Sequence, residues 1–192
     1  MIQEINNYKI LKILNLIKSI GLIPLSLCLL IWMIAFLFLL TNSQIEVATI
    51  ATFILLTIQL ISSISDLYSK TIPLKLMFFG LIAGLLLFIF FYKTSALIMC
   101  TLGGIIAFAL TKLLIIISRR QVGGGDLALM TVTGFFSGID SFLSILFISV
   151  ILAGIYSLFL IFIKKENKKA EIPFAPFVLL ATVICVLSYI KY

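Results

Sequence analysis

Seven carboxylates and no histidine are available for acid–base chemistry in this sequence. Glu4, Glu166 and Glu171 lie in polar stretches, and Glu46 and Asp140 fall in short connections between apolar runs. Asp66 and Asp126 differ from these, because each stands at the end of a long apolar run, Asp66 closing one and Asp126 opening another. An ionisable group at a helix end within a membrane bundle is costly to keep and is a functional candidate by default. Two carboxylates brought together at low dielectric cannot both ionise comfortably and share one proton. The ionised member can then take a proton from water while the neutral one polarises a peptide carbonyl. Asp126 follows Gly123, Gly124 and Gly125, which would let the backbone approach a substrate strand closely and take up unusual dihedrals. It would also stand at a helix N-terminus, where the macrodipole favours a carboxylate. A plainer reading makes Asp126 the N-cap of a helix starting at Leu127 and Asp66 an interfacial residue paired with Lys70.

The absent histidine removes Ser-His and Cys-His nucleophilic pairs and histidine-built zinc sites. Cys28, Cys100 and Cys185 occur singly within apolar runs, with no Cys-x-x-Cys, so they read as small apolar side chains. Neither a metal site nor a cofactor is expected.

The elements that must hold the two aspartates are membrane spans. Hydrophobic residues are 63% of the chain and charged residues 11%, against about a quarter charged in soluble domains. Apolar segments run over about 21–40, 45–65, 74–92, 95–118, 127–139, 141–163 and 174–190, most of them near the roughly 20 residues that a crossing needs. The 127–139 segment is the shortest. The expected fold is all-α: a polytopic transmembrane helical bundle of six core spans plus one extra N-terminal span. Residues 1–44 form a basic amphipathic N-terminus and the additional helix, and 45–192 form the functional domain. Within the first part, residues 1–19 read as an amphipathic helix on the membrane surface.

Threading the segments with the N-terminus inside leaves 11 of the 14 basic residues on inner connections: Lys9, Lys12, Lys18, Lys70, Lys75, Arg119, Arg120, Lys164, Lys165, Lys168 and Lys169. The positive-inside rule selects that orientation. The N-terminus is then cytoplasmic, the C-terminus extracytoplasmic, and both aspartates sit at one depth on the cytoplasmic side. The net charge of +7 is a topology signal here, and nucleic-acid binding is not expected. Arg119 and Arg120 serve as topology signals or hold anionic membrane lipids.

The text around the aspartates resembles that of type IV prepilin peptidases. Asp66 is followed at a fixed interval by Ile72-Pro73. Gly123-Gly124-Gly125-Asp126 is similar to the Gly-x-Gly-Asp signature shared with presenilin-like proteases. Pro173-Phe174-Ala175-Pro176-Phe177 resembles a third family stretch. The resemblance spans about 45–190, with the three stretches in family order. It implies a bacterial inner-membrane aspartyl endopeptidase with Asp66 and Asp126 as catalytic residues. Its substrate would be a prepilin or pseudopilin whose short basic leader is removed at the cytoplasmic face, usually after a glycine. The chain departs from the pattern at Leu74, where asparagine is common, at Ala128, where lysine is common, and at Ala175, where glycine is usual. It also lacks the family's cysteine-motif loop, so the structural zinc and the methyltransferase activity found in many members are not expected. The alternatives are another Gly-x-Gly-Asp intramembrane protease, or a non-catalytic proton- or cation-binding transporter subunit.

Overall fold

The computed structural model describes residues 22–42, 47–91, 94–117, 123–162 and 172–189. The expected surface helix at 1–19, Arg119 and Arg120, and the lysines at 164–169 lie outside these residues. Among the described residues the chain forms six α-helices: α1 (Leu22–Asn42), α2 (Val47–Ser69), α3 (Leu74–Phe91), α4 (Thr94–Ile117), α5 (Gly124–Phe162) and α6 (Ala175–Tyr189). Five are long and apolar enough to cross a membrane, and α6 is apolar but shorter. The chain is a multi-pass helical membrane protein. Helices dominate because the hydrocarbon layer offers no water to backbone amides, which must therefore bond within their own segment.

Helix α5 covers two of the segments expected from the sequence, and a break at Gly138 (φ 70°, ψ 179°) divides it. That conformation is essentially closed to residues with a Cβ. The break turns the chain back on itself. Asp66, in the last turns of α2, accepts a hydrogen bond from the Ala175 amide at 2.9 Å, so the end of α2 meets the start of α6. Gly125, at the start of α5, lies against Ile72 at that same end. Tyr156, thirty residues further on, packs its ring on Phe177 of the first turn of α6, with centroids 5.4 Å apart. A straight helix would hold Tyr156 about 45 Å from Asp126. The two limbs therefore form a hairpin with Gly138 at its corner, and the short first limb is a separate helical segment.

Helices α2, α3, α4, α5 and α6 share one core, built on Leu55, Met77, Phe88, Ala107, Leu129, Met130, Phe142 and Val178 among others. Small residues let α4 and the first limb of α5 approach backbone to backbone: a Cβ on Gly103 would collide with the Gly134 carbonyl oxygen. Such close packing is a common way to join helices where lipid removes the hydrophobic drive between them. Among the described residues helix α1 packs on α2 and α6, through a second cluster of Cys28, Ala35, Leu39, Leu56, Leu60, Leu179 and Val183. It is an outer helix laid on the bundle. Large apolar side chains such as Leu30, Phe79, Phe90 and Ile116 are exposed on the outer surface, where lipid rather than water would meet them.

Candidate active site

The first half of the site is the end of α2. This helix continues past the expected boundary at residue 65 to Ser69, so Asp66 is held on a helix rather than in a loop. Lys70 then takes a left-handed conformation (φ 52°), and its amide bonds the Asp66 carbonyl at 2.9 Å, which closes the helix. The loop that follows is tied back to α2 by side chains. Ser65 donates to the Thr71 carbonyl at 2.8 Å, and Ser69 bonds the Ser65 carbonyl and the Thr71 hydroxyl. These bonds present Ile72, which is buried, toward the start of α5. Pro73 accepts from the Leu76 amide at 3.0 Å and so opens α3.

The second half is the first turn of α5. The helix begins at Gly124, three residues earlier than Leu127, so Asp126 is not its N-cap. Gly123 takes that place, its carbonyl accepting from the Asp126 amide at 3.2 Å. In return the Asp126 carboxylate accepts from the Gly123 amide at 3.1 Å, the carboxylate half of a capping box. The glycine run also differs from expectation. Among the described residues only Gly138 has a glycine φ in the positive range, so Gly123, Gly124 and Gly125 do not serve through unusual dihedrals. Gly125 serves through space: a Cβ there would stand 2.9 Å from the Ile72 Cβ. The Ile-Pro stretch and the glycine stretch are thus two sides of one contact. Gly124 has nothing within 4 Å of where its Cβ would stand and is exposed, so it borders open space beside Asp126.

The third stretch supplies a donor that sequence reasoning did not foresee. Asp66 is 6% exposed, and its carboxylate accepts from the Ala175 amide, with the Phe174 amide beside it. These amides open α6, where Phe174 accepts from the Phe177 amide at 3.0 Å. The start of a helix carries unsatisfied N–H groups and partial positive charge, which suits a carboxylate. Because the backbone makes the contact, alanine in place of the usual glycine leaves it intact, and the Ala175 methyl is fully buried in the core. Pro173, Pro176 and Phe177 shape this helix start, and Phe177 meets Tyr156. Lys70 acts electrostatically on Asp66, but the short bond made by the carboxylate is to the Ala175 amide. Of the other departures, Leu74 is exposed at the start of α3 and Ala128 packs on the main core.

Two carboxylates from separate helices thus lie at one end of the bundle, Asp66 within electrostatic reach of Asp126. Each is oriented by a backbone amide at a helix start, and two helix N-termini face the pair. One carboxylate is buried and the other half-buried, and both stand beside the exposed backbone of Gly123 and Gly124. A family model for the type IV leader peptidase family matches residues 53–158. The matched stretch contains Asp66 to Pro73 and Gly123 to Asp126 and ends before Pro173. No curated protein and no solved structure matches the chain.

Proposed function

The chain belongs to the type IV leader peptidase family, and from that membership we propose that it is an aspartyl endopeptidase whose catalytic pair is Asp66 and Asp126. The observation that carries this reading is the placement of the two carboxylates at one end of the bundle, one bonded to the start of α6 and the other to the start of α5. In the proposed reaction one carboxylate is ionised and draws a proton from water. The other is protonated and donates to the scissile carbonyl, and the resulting hydroxide equivalent adds to the carbonyl carbon. The proton gained by the first carboxylate then passes to the amide nitrogen, the C–N bond breaks, and a hydroxyl of the diol returns its proton to the second carboxylate as the new carboxyl group forms. Open space at Gly124 gives an extended substrate backbone a place next to Asp126.

The substrate proposed is a prepilin or pseudopilin, cut after the glycine that ends its short basic leader, at the cytoplasmic face of a bacterial inner membrane. The face follows from charge: with the N-terminus inside, 11 of 14 basic residues lie on the side of the aspartate pair. The test is cleavage of a prepilin reporter by the purified protein in liposomes, followed by mass spectrometry of the new N-terminus. Asp66→Asn and Asp126→Asn are each expected to lower the rate about 1,000-fold or more with the fold retained. Wild-type rates in either variant overturn the catalytic assignment. A transmembrane-helix substrate, offered beside the reporter and cut in preference to it, overturns the substrate class.

A further inference from the structure

Below the aspartates lies a polar group that the reaction does not use. Gln59 of α2 is fully buried. Its amide nitrogen donates to Thr133 of α5 at 3.1 Å and to Thr182 of α6 at 2.9 Å. Both hydroxyls give their own protons to carbonyls in their own helices, Thr133 to Leu129 and Thr182 to Val178, each at 2.9 Å. With their protons on these carbonyls, both hydroxyls accept from the amide nitrogen.

The register of the three residues is the same on each helix. Gln59 precedes Asp66 by seven residues, Thr133 follows Asp126 by seven, and Thr182 follows Ala175 by seven. Seven residues are close to two helical turns, so each member lies on the same face as its partner in the site and about 10 Å below it. One layer holds the two carboxylates and the amide that orients Asp66. The next layer joins the same three helices through a single side chain.

The energetics argue against stability as the reason for this layer. Among the described residues the Gln59 amide oxygen is buried without a partner, and an orphaned buried acceptor lowers stability. A partly satisfied buried network is worse for stability than an apolar core. Replacing Gln59 by a side chain of similar length and no polarity orphans nothing, since both threonines keep their own carbonyl bonds. We infer that Gln59, Thr133 and Thr182 are positioning residues, which lock the axial and rotational register of α2, α5 and α6 so that Asp66, Asp126 and the Ala175 amide meet. The inference rests on the proposed peptidase reading for its catalytic consequence and on geometry alone for the lock itself.

Two measurements on purified Gln59→Met, with Thr133→Val and Thr182→Val as shape-preserving alternatives, test it. In the first, cleavage of the prepilin reporter is expected to show kcat reduced about 10- to 100-fold, KM near wild type and an unchanged or higher Tm for Gln59→Met. Thr133→Ser and Thr182→Ser, which keep the acceptor, are expected to restore kcat. In the second, spin labels on Tyr68→Cys and Gly124→Cys, with Cys28, Cys100 and Cys185 replaced by alanine, report the spacing of α2 and α5. A sharp distance distribution in the parent is expected to broaden or shift in the variants. A lower Tm with kcat unchanged makes the layer a structural brace and overturns the inference. Unaltered label distances overturn it whether or not the reporter is cut. A wild-type protein that cuts no reporter refutes the peptidase reading and leaves the lock to be judged by the label distances.

Discussion

Each aspartate is oriented by a hydrogen bond from a backbone amide. Asp66 bonds an amide 109 residues away in sequence, and Asp126 bonds one three residues away. The difference decides what could be read in advance. The local bond of Asp126 belongs to helix-capping chemistry and is visible in the glycine–aspartate spacing. The long-range bond of Asp66 is not, because an amide has no sequence signature. Between the two halves the contact of Ile72 with Gly125 sets the spacing, and it supports a prediction about single atoms. Gly125→Ala places a methyl 2.9 Å from the Ile72 Cβ. A Cβ cannot rotate away, so the start of α5 must move, at a cost on the order of 1 kcal/mol or more. Cleavage is expected to fall about tenfold or more. Gly124→Ala, with open space around it, is expected to keep the wild-type Tm, whereas Gly125→Ala lowers it. Equal Tm in the two variants would show that the contact with Ile72 does not hold the two halves of the site together.

At the scale of elements, the hairpin in α5 matters most. Its first limb is short for a crossing, yet it carries Asp126 at one end, Thr133 in the middle and Gly138 at the corner. The corner permits the second limb to return Tyr156 to Phe177 beside the site. At φ 70° and ψ 179°, Gly138→Ala forces a residue with a Cβ into a conformation that costs about 1–3 kcal/mol. For a chain of this size, thermal unfolding in detergent is expected to show Tm lower by about 2–10 °C. An unchanged Tm would mean that the corner accepts another backbone path. The two segments at 127–139 and 141–163 were legible as apolar runs separated near Gly138. Their joining into a tight corner was not, because hydropathy has no information on φ.

For the whole molecule, the site belongs at one end of the bundle and the Gly138 corner at the other. Cysteine labelling with a membrane-impermeant reagent tests the orientation inferred from charge. Asp140→Cys, exposed next to the corner, is expected to label in intact cells. Gly124→Cys is expected to label only once the inner face is opened. Labelling of both from one side would overturn the topology. The sequence alone determined that the chain spans a membrane several times as helices, since composition and segment length depend on no contact. It also singled out Asp66 and Asp126, because a charged group beside an apolar run is conspicuous wherever the helices go. Tertiary structure alone decided how these aspartates are held. The Ala175 amide on Asp66, Ile72 against Gly125 and the Gln59 layer two turns below join residues distant in the chain. Such contacts depend on the packing and rotation of several helices at once, which no local pattern of residues encodes.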